Sequence, residues 1–212
     1  MADPIFCVLT GDIVKSSALS ERALDTVMQA LSDMAARMGT WPGETDVRYE
    51  RFRGDGWQMR LHAPAHALRA CLFARAAVRL ACDRGETRIG VGIGAAEAGA
   101  SLAASSGLAF ERSGRGLEAL GVHRLWRIEG GFDTSAARAL ALGLFAVCDE
   151  RSRHWTARQA DIFMRLAGPA PPPMNDVADA LSVQPQTIQT HFTRAGGHAL
   201  FEAIEAFESA WA

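Results

Sequence analysis

The chain has 212 residues, a length that allows one large domain or two ordinary ones. Hydrophobic residues make up 49% of it and charged residues 22%, which is the profile of a soluble globular protein with enough apolar residues for a core. The formal net charge of -2 excludes a global basic signature, so any nucleic-acid binding must be local.

The N-terminal residues and the cysteines indicate where such a protein would reside. Asp3 and a short apolar run replace the basic region and long hydrophobic region of a signal peptide, and no apolar run approaches the ~20 residues that cross a bilayer. The four cysteines are scattered, without a C-x-x-C pair or a histidine at ligand spacing, which predicts reduced core thiols. We expect a cytoplasmic protein without a membrane partner.

The first predicted elements are a strand, a helix and a hairpin. A continuous apolar run over 5–11 predicts a strand buried on both faces. Ser20 is the predicted N-cap of an amphipathic helix that ends near Gly39. Two strands joined by a tight acidic turn follow over 47–62.

A second helix and a glycine-rich strand come next. Pro64 is predicted to open a helix that stops at 83–85. Residues 87–94 alternate apolar residues with glycine, which predicts a strand on which another backbone or a ligand closes tightly. A short helix over 108–120 and a strand over 124–128 complete this part of the chain.

The order of these elements predicts the fold class. A β-α-β-β-α-β-(α)-β series is ferredoxin-like, so we expect an α+β fold with a mostly antiparallel sheet and helices on one face. This domain is predicted to cover 1–132, with a connecting helix over 133–153 and an all-α domain over 154–212.

The C-terminal part is predicted to be a helix-turn-helix domain. Thr156 and Asn175 are predicted helix caps, and a Pro-rich loop separates the two helices that they begin. The predicted helices of this part cover 157–167, 176–181, 186–195 and 198–210. Two short helices joined by a short turn, the second starting at a proline, are typical of the helix-turn-helix.

An acidic hairpin tip and an acidic strand end are the residues most suggestive of chemistry. Asp55 stands between Gly54 and Gly56, and Asp12 follows Gly11 at the end of the first strand. Mg²⁺ takes carboxylate oxygens and bridges phosphates, and the glycines would let a triphosphate approach the backbone. The alternative is that Asp55 occupies an ordinary Gly-flanked turn and Asp12 caps its strand.

These residues and others resemble a known family. The N-terminal two-thirds resembles the nucleotidyl-cyclase-like fold, and nearly the whole chain is similar to the SatD family, which joins such a domain to a C-terminal helix-turn-helix. The matching segments are 10–17, 52–56, 88–94, 107–115, 156–159, 176–183 and 186–188. Class III cyclase sites form between two protomers, so the resemblance implies a homodimer in which Asp12 and Asp55 bind Mg²⁺ with a nucleotide.

The resemblance also assigns roles to other residues, and these depart from the family pattern. Arg115 matches the catalytic arginine, with a solvated salt-bridge residue as the alternative, but Glu111 stands where the family has an asparagine. A carboxylate there repels phosphates. Arg51 replaces a base-selecting lysine and is not its equivalent. The predicted cofactor-binding residues are Gly11, Gly54, Gly56 and Arg51.

These departures predict a degenerate site that binds a nucleotide without turning it over, or serves only dimerisation. The diguanylate cyclase activity is not expected, because 53–57 lacks the first glycine and the second acid of that hairpin motif.

The second helix of the helix-turn-helix, from Pro185 to about Ala195, is the predicted recognition helix. Glutamine bonds adenine, threonine contacts a thymine methyl and arginine reads guanine, whereas Ile188 and Phe192 are expected to face the core. The predicted DNA-binding residues are Gln184, Gln186, Thr187, Gln189, Thr190, His191 and Arg194. A helical bundle used for packing is the alternative, because acids outnumber arginines over 155–212.

The leading hypothesis is a homodimeric DNA-binding transcriptional regulator whose cyclase-like domain dimerises and senses a nucleotide. The alternative is an active Mg²⁺-dependent nucleotidyl cyclase or nucleotidyltransferase that its helix-turn-helix regulates. A third hypothesis is a non-catalytic interaction module with neither activity.

Overall fold

The structure, a computed structural model, describes residues 4–52 and 54–211, so that Asp3 and Arg53 lie outside the described residues. Within these ranges five strands form one sheet in the order β2-β3-β1-β4-β5. The strands are β1 (Ile5–Ile13), β2 (Arg48–Phe52), β3 (Gly56–Leu61), β4 (Thr87–Ala95) and β5 (Trp126–Glu129). The first four pair antiparallel and β5 runs parallel to β4, which confirms an α+β fold with a ferredoxin-like strand order.

The described ranges also contain eight α-helices. They are α1 (Glu21–Met38), α2 (Ala67–Ala81), α3 (Leu108–Glu118), α4 (Ser135–Arg153), α5 (Ala157–Leu166), α6 (Met174–Ala180), α7 (Pro185–Arg194) and α8 (Gly197–Ser209). None of the helices in the described ranges is long and apolar enough to cross a membrane. The cysteines are free, and three of the four are buried, as the sequence predicts.

Two predicted helix caps, Ser20 and Thr156, are correct, whereas the predicted helix starts at Pro64 and Asn175 are wrong. The Ser20 side chain accepts a hydrogen bond from the Ala23 N–H at 3.2 Å, and Thr156 forms a capping box at the start of α5. Pro64 instead begins a short 3₁₀ turn that precedes α2. Asn175 lies inside α6, because Pro173 takes the N-cap position in an extended conformation, with a φ of -53° and a ψ of 144°, and the helix begins at Met174.

One face of the sheet packs against α1 and α2. In β1 the side chains of Cys7 and Leu9 are completely buried and belong to the main hydrophobic cluster. Their neighbours Phe6 and Val8 belong to a second, smaller cluster with Ala109 of α3. Since successive side chains of a strand point to opposite faces, α3 covers the other face of the sheet.

The prediction of helices on one face is therefore wrong, and glycines explain why. A Cβ on Gly92 would lie 2.0 Å from the Ala109 carbonyl oxygen, and one on Gly90 would lie 2.1 Å from that of Ser113. The alternating glycines remove the side chains from one face of β4, so the backbone of α3 packs directly on the strand. The predicted close approach at this strand is made by a helix.

The helices after the sheet share a core with it. The main cluster runs from Leu9 of β1 to Ile188 of α7 and Ile204 of α8, and α2 contacts α4, α5 and α8. Arg75 of α2 and Asp149 of α4 form a buried ion pair at 2.6 Å. The boundaries near residues 132 and 153 stay a prediction, but the segments on either side are packed together.

Helices α5, α6 and α7 pack on one another. Four residues, 181–184, separate α6 from α7, and Ser182 has a φ of 53° in this turn. Ile188 is completely buried and Phe192 is 7% exposed, as expected for the inner side of α7. The end of α7 is held by Trp155, whose indole N–H donates to the Ala195 carbonyl at 2.8 Å.

Candidate functional site

The strand end and the hairpin tip meet at one pocket, here called the sheet pocket. It has a volume of about 520 Å³ and includes both Asp12 and Asp55. It is lined by Asp12, Ile13, Val14, Lys15, Ser16, Ser17, Asp55, Arg88, Leu120, Gly121, Val122 and Leu125. Asp12 lies opposite Gly56 in the β1–β3 pairing, and this register brings the end of β1 to the hairpin tip.

The carboxylate of Asp12 is held by Arg88. The two residues are partners across β1 and β4, and the Arg88 Nε–H donates to Asp12 Oδ1 at 2.8 Å while its Nη2 group donates to Oδ2. This hydrogen bonding, with the charges of Asp12 and Asp55, raises the pKa of Arg88 above its ordinary value. Both oxygens of the carboxylate that the sequence assigns to a metal are therefore engaged by a guanidinium.

Asp55 is engaged more lightly. Its Oδ2 accepts a hydrogen bond from the Ser16 hydroxyl, and its backbone carbonyl accepts one from the Ile13 N–H at 3.3 Å. Gly54, which precedes it, has a φ of 71°, and a Cβ at this position would meet no heavy atom within 4 Å. The turn conformation alone thus requires glycine at this position.

The glycine before Asp12 has a packing role. A Cβ on Gly11 would lie 2.5 Å from two atoms of the Trp57 ring and 2.6 Å from the Arg88 carbonyl oxygen. Trp57 is completely buried and donates its indole N–H to Thr87 Oγ1 at 3.0 Å. Gly56 is similarly close to Phe52, with 2.7 Å from its Cβ position to the Phe52 carbonyl oxygen. These contacts explain both glycines without a ligand, and their phosphate role stays a prediction.

The donor chemistry of the pocket suits Mg²⁺ only in part. Carboxylate oxygens are the ligands that Mg²⁺ prefers, and water and phosphate complete its octahedron. No group of three or more His, Cys, Asp or Glu side chains among the described residues is placed to hold a metal. A metal at Asp12 must also displace Arg88. Asp12 and Asp55 would then hold the ion together with the phosphates of a nucleotide.

The other residues assigned by resemblance lie away from the pocket lining. Arg51 donates from Nε to the Gly54 carbonyl at 2.7 Å and pairs with Asp25 of α1 at 2.6 Å. Arg115 and Glu111 are exposed on α3, and neither is among the described residues that line the sheet pocket. Within one chain, Arg51 stabilises the hairpin turn, and the predicted catalytic residue Arg115 faces solvent, as does Glu111.

The outward side of α7 presents polar side chains. A shallow depression of about 200 Å³ is lined by Gln186, Thr187, Thr190 and His191. Of the predicted DNA-binding residues, Thr187 and His191 are half-buried and the others are exposed: Gln184, Gln186, Gln189, Thr190 and Arg194. No ion pair within the described part of the chain involves Arg194 or His191. We refer to these seven residues as the α7 face.

The sequence alone did not identify two charged residues of the pocket as site residues. Arg88 belongs to a motif quoted for the resemblance, and its position beside Asp12 follows from the β1–β4 register. Lys15 lines the pocket in a left-handed backbone conformation, with a φ of 55°. The pocket therefore contains two carboxylates and two cationic side chains, which makes it a mixed site rather than a purely acidic one.

The comparisons with known proteins do not assign this chain to a family. No family model and no curated protein sequence matches the chain. Among solved structures it is similar to the guanylyl cyclase Cya2, with 16% identity and a TM-score of 0.43 over 60% of this chain and 75% of that one. A likeness at this level supports no inference about activity, and the architecture follows from the strand order above.

Proposed function

We propose that this protein is a DNA-binding transcriptional regulator of the SatD type, in which α7 is the recognition helix. The observation on which this proposal rests is the division of α7 into two sides. Ile188 and Phe192 are buried against the preceding helices, while the polar residues between them face outward. Such a helix can enter the major groove without exposing its core.

The charge on α7 supports the same proposal. Residues 185–194 contain no aspartate or glutamate, and Arg194 gives the helix a positive charge. The acids of α6 and α8 lie on other helices and reduce the sequence-independent attraction to phosphates. Affinity would then depend on base contacts and on the joint binding of two copies to two half-sites.

The test is a binding titration with duplex fragments taken from upstream of the protein's own gene, at low and at physiological salt. We expect Gln186→Ala and Arg194→Ala to weaken binding about 10- to 100-fold, since one bidentate base contact contributes ~1–3 kcal/mol. Gln29→Ala and Arg22→Ala are matched controls on the exposed side of α1 and should bind as the parent protein does. No binding even at low salt, where phosphate attraction is strongest, would contradict the proposal.

The sheet pocket is proposed as a nucleotide-sensing site in the same protein. Lys15 and Arg88 supply positive charge for phosphates, and Asp12 and Asp55 supply metal ligands. We expect GTP or ATP with Mg²⁺ to raise the melting temperature, and Asp55→Ala to abolish the rise because it removes the less engaged carboxylate. Asp83→Ala, an aspartate outside the pocket lining, is the control.

An active Mg²⁺-dependent nucleotidyl cyclase or nucleotidyltransferase is the second candidate. Its support is that Asp12 and Asp55 line the same pocket, although Glu111 and Arg115 lie outside that lining in the single chain. Release of pyrophosphate from GTP or ATP, lost in Asp55→Ala, would favour the enzyme over the regulator. A melting shift without pyrophosphate would favour the sensor.

A further inference from the structure

Helix α4 has an apolar outer side that nothing in the described chain covers. Leu140 is 75% exposed and Val147 is 67% exposed, values unusual for large aliphatic side chains. They belong to a stripe at the three- and four-residue spacing of a single helix side. This stripe, the α4 face, consists of Leu140, Gly143, Leu144 and Val147, of which Leu144 is half-buried and also packs against the core.

Gly143, at the centre of the α4 face, has no explanation within the single chain. A Cβ at this position would meet no heavy atom within 4 Å, and its backbone is ordinary helix. A glycine inside a helix costs about 0.5–1 kcal/mol relative to alanine. A small residue at the middle of an exposed apolar stripe suits the close approach of a second helix.

The α4 face is self-complementary. The intervals between its residues are the same when read from either end of the helix, and the midpoint lies between Gly143 and Leu144. An isologous dimer requires this property, because the same patch must match itself after a two-fold rotation. In an antiparallel pair, Leu140 would contact Val147 of the second copy, and Gly143 would accommodate its Leu144.

The charges at the two ends of the α4 face are complementary as well. Asp133 lies exposed before the N-terminus of the helix, and Arg151 lies exposed at its C-terminal end, where Glu150 already pairs with His154 and Arg153 within the chain. Neither Asp133 nor Arg151 takes part in an ion pair within the described part of the chain. An antiparallel pair brings the acidic end of each copy to the basic end of the other, whereas a parallel pair opposes like charges.

We propose that a second copy of this chain docks on the α4 face, with the two α4 helices antiparallel about Gly143 and Leu144. The proposal names the surface for the homodimer of the proposed function and requires neither DNA nor nucleotide binding. Arg151 donates to the Arg194 carbonyl at 3.3 Å, so the dimer would also hold the ends of the two α7 helices in a fixed relation.

The first test is sedimentation analysis of the full chain. We expect a species of twice the 22.8 kDa chain mass, and its loss in Leu140→Glu. Leu108→Glu is the matched control, because Leu108 is 45% exposed and belongs to α3 rather than to α4. Both sites are exposed, and circular dichroism verifies folding. A monomeric parent protein, or a dimer unaffected by Leu140→Glu, overturns the proposal.

The second test determines the orientation. Leu140→Cys and Val147→Cys are prepared separately, mixed, and oxidised with copper phenanthroline. The antiparallel pair predicts a cross-linked dimer in the mixture and none with either variant alone, because residues 140 of the two copies would lie roughly 10 Å apart along the axis. Cross-linking of Leu140→Cys with itself would indicate a parallel pair and overturn the proposal.

The Gly143→Leu variant distinguishes a role of Gly143 in the dimer interface from a role in the stability of the single chain. The variant should unfold at a higher denaturant concentration, since leucine favours helix more than glycine, and yet it should lose the dimer. If the dimer persists, the proposal is wrong. DNA titrations of the parent protein and of Leu140→Glu distinguish the two proposals. DNA binding by a monomeric Leu140→Glu leaves the DNA proposal intact, whereas a dimeric parent protein that binds no DNA contradicts only the DNA proposal.

Discussion

The sheet pocket and the α7 face differ in how far their side chains are already bonded within the chain. In the pocket, Arg88 binds both oxygens of Asp12, and Ser16 binds Asp55. On the α7 face, Arg194 has no side-chain partner among the bonds of the described residues, and Thr190 bonds only its own helix. A ligand of the pocket must replace existing contacts, whereas a partner of α7 replaces water.

The largest expected effect comes from breaking the buried ion pair that joins α2, α4 and the wall of the sheet pocket. Asp149 is 1% exposed in its side chain and accepts hydrogen bonds from Arg75, from Arg153 and, at 2.7 Å, from the Leu125 N–H in the pocket wall. Asp149→Ala leaves Arg75 buried without this partner, and we expect it to lower the free energy of unfolding by about 3–5 kcal/mol. Urea denaturation measures the loss.

The control for this change is Glu150→Ala, whose side chain is 62% exposed and which should shift stability by no more than about 0.5 kcal/mol. The shared core predicts that tryptophan fluorescence and circular dichroism report one common transition. Two separate transitions in the parent protein would instead show that the sheet and the C-terminal helices unfold independently.

The next effect tests the face of the sheet opposite α1 and α2. Gly92→Ala places a Cβ against the backbone of α3, and we expect a loss of about 1–3 kcal/mol from overpacking. Gly114→Ala on α3, where a Cβ meets nothing within 4 Å, should instead increase stability by about 0.5–1 kcal/mol. Equal effects of the two changes in denaturant unfolding would contradict the direct packing of α3 on β4.

A smaller effect tests whether Asp12 in the sheet pocket can bind a metal. Arg88 is 47% exposed, so Arg88→Ala should change stability by less than about 1 kcal/mol. Freed of its guanidinium partner, Asp12 should bind Mn²⁺ about 5-fold more tightly, the effect of removing one positive charge at close range. Arg48→Ala, which removes another exposed arginine, is the control in calorimetric titration. Identical Mn²⁺ binding by both variants would argue against a metal at Asp12.

The smallest effect concerns two buried thiols, Cys71 of α2 and Cys148 of α4. Burial raises the pKa of Cys71, and burial with the charge of Asp149 raises the pKa of Cys148 to about 12. Their contribution to stability is therefore fully present below the ordinary value of 9.0 and is lost as the pH rises toward the folded pKa. At pH 8 a thiol reagent should label the partly exposed Cys82 first. Rapid labelling of Cys148 would indicate that α4 separates readily from the sheet.

Local patterns predicted much of the molecule. The alternation of glycine with apolar residues in β4 indicated a close neighbour, and the three-to-four-residue spacing identified α1, α2 and the buried side of α7. The meeting of Asp12 and Asp55 in one pocket also agrees with the predicted strand order. These features were accessible because strand and helix periodicities are properties of neighbouring residues.

Other features were not accessible in this way. The glycine pattern of β4 does not distinguish a close backbone from a ligand, and the order of elements predicts helices on one face of the sheet, whereas α3 lies on the other face. The residue type of Asn175 predicts a cap, whereas Pro173 takes the N-cap position of α6. In both cases a local preference was compatible with two arrangements, and packing selected one.

The strand order, most helix boundaries and the pair of aspartates at the strand end and the hairpin tip follow from sequence patterns. The pairing of Arg88 with Asp12, 76 residues away, and of Arg75 in α2 with Asp149 in α4, 74 residues away, follows only from the folded arrangement. Such pairings depend on strand register and helix packing, which sum many weak contacts across the chain. No single segment specifies them.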